Sequence, residues 1–322
     1  MINKELMIFS GNANPPLAEK IAAYLGQELC RAEVRRFPEG EIEVEIKDHV
    51  RGADVFLIQG TSPPPNENMM ELLIMIDALS RASAKRITAV IPYYGYGRQD
   101  RKNQPGVPIT AKLVANLITA AGADRLLTVD LHAAQIQGFF DIPVDHLYAA
   151  PVLLKDLQES YPEERRGDLT IVSPDVGGIK IADYFARGLN CPLAIVDKRR
   201  MGDQDTEVRN VIGEVNGRDI LIVDDLISTG TSLVTATNVL LEKGAREVSA
   251  AITHPVLPGD AVANIDRSAL KNLWVSDSIE LGKDAKASSK IKVVSISGLL
   301  GEAIKRVHAD TPVSILFEYS EK

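Results

Sequence analysis

Cysteine is almost missing from this chain: Cys30 and Cys191 are its only two. Two thiols are too few for a disulfide framework or a thiolate metal site, and both read as small buried hydrophobes. Long apolar runs are missing as well. None approaches the ~20 residues that span a bilayer, and the N-terminus lacks a basic-then-apolar signal pattern. The expectation is a cytoplasmic protein with no membrane partner. Nor is there a basic excess, since 36 Lys and Arg against 44 Asp and Glu give a net charge of −8. That balance argues against a general nucleic-acid surface and leaves room for local basic pockets that hold phosphates. Low-complexity segments are absent.

What remains is ordinary in bulk and specific in order. The 322 residues are 45% hydrophobic and 25% charged, as in soluble globular proteins, and are long for one core but comfortable for two domains. Short β-branched runs alternate with helical spacing, the signature of α/β units around a parallel sheet. Leu6–Phe9, Val55–Gln59, Ile87–Pro92, Leu126–Val129, Thr170–Val172, Leu193–Val196, Ile220–Val223 and Val248–Ile252 read as strands. Pro16–Leu29, Asn68–Ala82, Ile109–Ala121, Ile179–Arg187 and Thr231–Lys243 have the apolar spacing of helices. A boundary is expected near Tyr148-Ala149-Ala150-Pro151, and each half carries its own strand–helix series, as a diverged duplication would. Several strands end in polar or special residues: Ser10-Gly11, Gln59-Gly60-Thr61, Asp130-Leu131-His132, Ser173-Pro174-Asp175 and Asp224-Asp225. In open α/β sheets, ligands bind at that edge.

The richest of these ends is Ile220-Leu-Ile-Val-Asp-Asp-Leu-Ile-Ser-Thr-Gly-Thr-Ser232. A buried strand runs into Asp224 and Asp225, and Ser228, Thr229, Gly230, Thr231 and Ser232 form the turn into the next helix. Such a turn offers N–H groups and hydroxyls to a phosphate at a helix N-terminus. The carboxylates can accept from vicinal hydroxyls or help hold a cation. Donors at one end and acceptors at the other suit a sugar phosphate; an acidic strand end before an ordinary helix cap is the alternative. His132 stands between polar neighbours, and taken alone such a histidine is more often a satisfied structural residue than a ligand. Asp175 precedes two glycines that allow close backbone approach, or else simply caps a helix. Arg98 and Gln99 lie in Tyr93–Lys102, where three cations mix with glycines and aromatics. Phe37-Pro-Glu-Gly-Glu41 follows an alternating pattern and reads as a hairpin turn. Arg199–Thr206 reads as a polar loop and candidate lid, opened by Lys198 and Arg200.

Together these runs resemble the ribose-phosphate pyrophosphokinases over nearly the whole chain, from Ser10-Gly11-Asn12 to Val313-Ser-Ile-Leu-Phe317. The Asp224–Ser232 run by itself is also similar to the ribose-5-phosphate loop of type I phosphoribosyltransferases. The resemblance implies an α/β fold of two type I phosphoribosyltransferase-like domains, each a mostly parallel sheet flanked by helices. Residues 1–149 would form the first, with a tail from about 307 to 322 packed back on it, and 150–306 the second. The implied reaction moves the pyrophosphoryl group of magnesium-ATP to O1 of ribose 5-phosphate, giving phosphoribosyl pyrophosphate and AMP. By the same resemblance His132 and Asp175 lie at Mg2+, and Arg98 and Gln99 contact ATP. Phe37 stacks on adenine, and Glu39 and Glu41 read its polar edge. Lys198 and Arg200 stabilise the charge on the moving group, while Asp224, Asp225 and Ser228–Ser232 hold ribose 5-phosphate. Because the Phe37 run serves ATP bound by a neighbouring subunit, a homo-oligomer follows, a hexamer of dimers as in the family.

The departures are equally specific. Glu39 stands where Asp or Asn is usual. Ser228-Thr-Gly-Thr-Ser232 stands for the usual Asp-Thr-Gly-Gly-Thr, which removes an acidic side chain and a glycine whose N–H the phosphate would use. At the family's regulatory phosphate site, His49 and Pro312 replace serines and Gly106 replaces an arginine, while Arg51, Ser83 and Ser314 remain. Loss of a bidentate guanidinium predicts weak activation by inorganic phosphate and weak inhibition by ADP. Two other readings stay open. A phosphoribosyltransferase would account only for the Asp224–Ser232 loop, and a catalytically silent regulatory homologue would account for that loop's departures.

Overall fold

The computed structural model describes residues 5–200 and 206–316, without the side chains of 197–200 and 206–209. Two compact units divide it. The first takes in the residues up to Tyr148, Ser278–Glu280 and those from Ile296 on; the second takes in Ala149–Asp277 and Leu281–Ser295.

In the first unit β1 (Leu6–Ser10), α1 (Pro15–Tyr24), β2 (Ala32–Arg36), β3 (Ile42–Ile46), β4 (Asp54–Ile58), α2 (Pro65–Arg81), β5 (Arg86–Ile91), α3 (Thr110–Ala121), β6 (Arg125–Val129) and β7 (Val144–Leu147) follow one another. The sheet has the order β1-β4-β5-β6-β7 and is parallel at every joint. All five residues of β4 are buried, as expected where helices or loops cover both faces of a parallel sheet. Alternate side chains then take opposite faces: Met7, Phe9, Val55 and Leu57 cluster with Leu72 and Met75 of α2. Helix α1 begins where Asn14 accepts from the Leu17 N–H at 3.3 Å, with proline at its first position. It stops at Tyr24, short of the expected Leu29, because Gly26 takes a left-handed φ of 68°. Strands β2 and β3 form a separate antiparallel ribbon. Val34 and Val44 pack it on the core cluster while Glu43 and Glu45 stay exposed.

The second unit runs α4 (Ala150–Ser160), α5 (Glu163–Arg166), β8 (Leu169–Ser173), α6 (Ile179–Leu189), β9 (Leu193–Arg200), β10 (Thr206–Ile212), β11 (Asp219–Ile227), α7 (Thr231–Glu242), β12 (Glu247–Pro255), α8 (Ala261–Arg267), β13 (Leu273–Ser276), α9 (Lys283–Ala287) and β14 (Ile291–Val294). Its sheet has the order β10-β9-β8-β11-β12-β13-β14, and only β10 is antiparallel to its neighbour. The crossover from β8 leads to β9 on one side, and the crossover from β11 leads to β12 on the other. Strand order therefore reverses between β8 and β11, which opens a crevice at their carboxyl ends.

Two stretches differ from the sequence reading. Strand β11 continues past Val223, pairing Asp224 with Ile252, Leu226 with His254 and Ile227 with Pro255, so both aspartates belong to the strand. The long partner β12 sustains that ladder, whereas pairing with β8 stops at Ile222 and Val172. Both ends of the expected loop Arg199–Thr206 belong to strands: β9 runs on to Arg200, and β10, antiparallel to it, starts at Thr206. A bulge between Val208 and Asn210 breaks the alternation that would have marked β10 in the sequence. Residues 201–205 lie outside the described residues.

Helix α10 (Ser297–His308) goes with the first unit, so the returning stretch starts at Ile296 where the sequence suggested about 307. Leu300, Ala303, Ile304 and Val307 are its buried face, and at Gly301 a Cβ would lie 2.4 Å from Tyr24 of α1. Fully buried Asp54 ties down its end, accepting from Arg86 Nε at 2.7 Å and facing His308 Nδ1 at 2.8 Å. Both units are α/β, with mostly parallel sheets flanked by helices. No helix among the described residues is long and apolar enough to cross a membrane.

Candidate functional site

In the second unit the reversal between β8 and β11 gathers the acidic residues. Asp175 is exposed just past β8, where its Oδ1 accepts from the Gly178 N–H at 3.0 Å and its carbonyl accepts from Ser173 Oγ at 2.6 Å. Gly178 leaves no space for a Cβ, which would sit 2.9 Å from that hydroxyl. Asp224 and Asp225 are half-buried, and the Asp225 N–H donates to Asp224 Oδ1 at 2.9 Å. Burial holds the Asp224 carboxyl well above the usual carboxylate range, and the charges of Asp225 and then Asp175 push it further. Three carboxylates thus share one field, which a cation or a set of hydroxyl donors would relieve.

The turn that follows is set by one glycine. Gly230 takes φ +78°, and a Cβ there would come within 3.4 Å of Ile265. Thr231 opens α7 in ordinary helical geometry, with its hydroxyl 3.2 Å from that of Thr229. The left-handed demand falls on Gly230, so Thr231 keeps its N–H despite replacing the usual glycine. The first N–H groups of a helix have no intrahelical partner, and with the Ser228, Thr229, Thr231 and Ser232 hydroxyls they suit an anion. Lys198 and Arg200 lie on β9, opposite Val208 and Thr206 of β10; their side chains are outside the described residues.

In the first unit, Phe37, Glu39 and Glu41 are exposed at the tip of the β2–β3 ribbon. The Phe37 N–H donates to the Glu41 carbonyl at 2.9 Å, and the Gly40 N–H to the Phe37 carbonyl at 2.8 Å. Phe37 is 42% exposed, a large apolar side chain left open by its own unit. The loop after β5 carries Arg98 and Gln99, both exposed. Its Tyr94 is buried, with the hydroxyl on the Ala111 carbonyl at 2.9 Å, and burial pushes that phenol far up. The Gln99 carbonyl accepts from the Ala111 N–H at 3.1 Å, and its side-chain oxygen accepts from the Thr110 hydroxyl. At Gly97 a Cβ would lie 3.7 Å from that of His132, so the loop rests against the turn after β6. Buried His146, which the sequence did not single out, supports that turn: its Nε2 accepts from the Leu131 N–H at 2.9 Å. Among the described residues no three His, Cys, Asp or Glu side chains form a metal cage on their own.

Comparison with known proteins bears on the whole chain. Residues 6–122 match the model of the N-terminal domain of ribose phosphate pyrophosphokinase, and 200–318 match the phosphoribosyl synthetase-associated domain. The ribose-phosphate pyrophosphokinase of Rhizobium meliloti is 55% identical over 97% of this chain and its own full length. That of Thermosipho africanus is 55% identical over 97% of this chain and 98% of its own. The chain belongs to the ribose-phosphate pyrophosphokinase family.

The crystal structure of phosphoribosylpyrophosphate synthetase from Mycobacterium smegmatis, 41% identical, superposes with a TM-score of 0.89 over 95% of this chain and 100% of that one. Matches on both units leave behind the phosphoribosyltransferase reading, which explained a single loop. The silent-homologue reading is not favoured either, since the full-length relatives carry the enzyme's name. Within the family frame, the second unit brings Asp175, Asp224 and Asp225 together beside Ser228–Ser232. The first sets the loop of Arg98 and Gln99 against the turn of His132 and carries Phe37, Glu39 and Glu41 on a separate ribbon. Sequence reasoning passed over what holds these loops, His146 and Thr61. Thr61 was visible only as part of a polar strand end.

Proposed function

We propose that the second unit holds ribose 5-phosphate and the first holds ATP as the β,γ-pyrophosphoryl group passes to O1 of the sugar. Ser228–Ser232 take the 5-phosphate, and Asp224 and Asp225 accept from the ribose hydroxyls. The C1 hydroxyl oxygen attacks the β-phosphorus, the bond to the oxygen bridging the α-phosphorus breaks, AMP leaves with that oxygen, and the hydroxyl proton is released. Arg98 and Gln99 hold the ATP phosphates, while Lys198 and Arg200 meet the charge that develops in transfer. Such a reaction needs positioning and charge neutralisation more than covalent help. Mg2+ fits as an ion shared with the substrates, because it takes one or two protein ligands plus phosphate oxygens and the described residues offer no complete cage. His132 and Asp175 would hold it, and when bound it neutralises phosphate charge. The observation that most supports this reading is the meeting of three carboxylates with a hydroxyl-lined helix start at one strand reversal.

Phe37, Glu39 and Glu41 belong in this proposal to the adenine site of a neighbouring subunit. The exposed ring at the ribbon tip supports a homo-oligomer, a hexamer of dimers, in the cytoplasm. Regulation by phosphate and ADP is weak in the same reading: Gly106 takes φ +81°, a conformation that an arginine adopts only under strain.

AMP formation from magnesium-ATP, with and without ribose 5-phosphate in phosphate-free buffer, tests the reading. Ribose-5-phosphate-dependent AMP is the expected result. Silence with and without added phosphate would refute it; activity only with phosphate would refute the regulatory part alone.

A further inference from the structure

We propose that Thr61 is a positioning residue for ATP: it clamps the root of the loop that carries Arg98 and Gln99 and so aims both side chains. The inference rests on the ATP reading of that pair.

Thr61 lies just past β4 and is fully buried although polar. Its hydrogen bonds go to one short segment, Tyr93–Gly95. Its N–H donates to the Tyr93 carbonyl at 3.0 Å, its hydroxyl donates to the same carbonyl at 3.2 Å, and Oγ1 accepts from the Gly95 N–H at 2.6 Å. A hydroxyl that both donates and accepts in place fixes two points of the main chain at once. Gly95 completes the clamp, because a Cβ there would lie 2.3 Å from the Thr61 carbonyl oxygen. The residues flanking Thr61 are themselves held. Gln59 donates to buried Glu71 at 2.9 Å and accepts from the Ala13 N–H at 3.0 Å, and Asn68 Nδ2 donates to the Ser62 carbonyl at 2.8 Å.

From this root the loop passes through Tyr96, left-handed at φ 62°, to Gln99, whose main chain is bonded to Tyr96 and to Ala111 at the start of α3. Arg98 thus sits between two anchored points, one at Thr61 and one at Ala111. A shift at either end is carried to its guanidinium, and a misplacement of about 1 Å is enough to weaken a positioned contact greatly. Thr128 is a matched contrast: it is also buried, and its hydroxyl donates to the Ile91 carbonyl at 2.8 Å, joining strand to strand with no bond to the loop.

The test is steady-state kinetics of the full chain, with KM for magnesium-ATP and for ribose 5-phosphate measured separately beside the melting temperature. Thr61→Val removes both hydroxyl bonds and leaves the buried Gly95 N–H without its acceptor, so it should raise KM for ATP roughly fivefold to tenfold and leave KM for ribose 5-phosphate unchanged. Thr61→Ser should restore the ATP value. Gly95→Ala should reproduce the defect from the other side of the clamp, and Thr128→Val should lower the melting temperature without it. An unchanged KM for ATP in Thr61→Val overturns the proposal. So does a rise in both KM values that Thr128→Val shares, which would mark a structural residue only. Arg98→Ala separates the two layers: if it raises KM for ATP and Thr61→Val does not, the clamp alone fails. If Arg98→Ala leaves KM for ATP unchanged, the ATP reading fails and the clamp falls with it.

Discussion

Element by element, β1, α1, the β2–β3 ribbon, β4, α2, β5, α3, β6 and β7 of the first unit repeat in the second as β8, α6, the β9–β10 ribbon, β11, α7, β12, α8, β13 and β14. The sheet orders agree as well, β1-β4-β5-β6-β7 against β8-β11-β12-β13-β14, except that the second ribbon joins its sheet beside β8. The contrast lies at equivalent strand ends. After β4 the chain turns into α2 through Pro63, Pro64 and Pro65, residues without an N–H, and Gln59 and Glu71 fill the space beside Gly11. After β11 it turns into α7 through Ser228, Thr229 and Gly230, which all carry an N–H and of which two add a hydroxyl. One architecture thus has two equivalent strand-to-helix turns, and a few residues decide which of them offers N–H groups and hydroxyls.

The contrast can be broken most severely at Gly230. Gly230→Val combines a left-handed backbone with contact on Ile265, and should lower kcat/KM for ribose 5-phosphate roughly a hundredfold, by strain of a few kcal/mol. KM for ATP should move little; an equal loss for both substrates would contradict the division between units. Asp224→Asn should cost about ten- to a hundredfold in the same parameter, the loss of a charged hydrogen bond. It should also stabilise the free protein. Asp224 has a raised pKa in the fold, so its stability contribution is complete below the ordinary carboxylate range and is lost as pH rises through the raised value. The melting-temperature gain of Asp224→Asn should therefore be absent in acid and grow toward neutral pH, and a gain independent of pH would contradict the assignment.

Calorimetry sharpens the contrast from the other side. Titration with ribose 5-phosphate should saturate at one per chain, and a second site of similar affinity would mean that the prolines after β4 do not silence the first unit. The smallest effect is expected for Ser228→Asp, which restores the residue usual in the family. KM for ribose 5-phosphate should change by no more than about threefold, since N–H groups set by Gly230 supply the main contact.

Much of this was legible in the sequence. The central strands are short continuous apolar runs that both faces of a parallel sheet require, and Asp224–Ser232 marks by residue type alone an acidic strand end that runs into a hydroxyl-rich helix start. Strands β7, β13 and β14 escaped because four residues carry too little pattern, and β10 because its bulge broke the alternation. The support of the site was hidden for another reason. Thr61, Gly95 and His146 act through bonds to main chain far away in sequence, and a strand-end threonine or a loop glycine does not show its partner.

The overhang of β11 beyond β8 has an evolutionary side. From Val223 to Ile227 the strand keeps its ladder to β12 on one edge and has no register partner in β8 on the other. Peptide groups along that edge present the same donors and acceptors whatever side chains they bear. In the proposed reading, recognition by the backbone leaves positions 228 and 231 open to exchange, because the N–H groups set by Gly230 stay the same whatever side chains stand beside them.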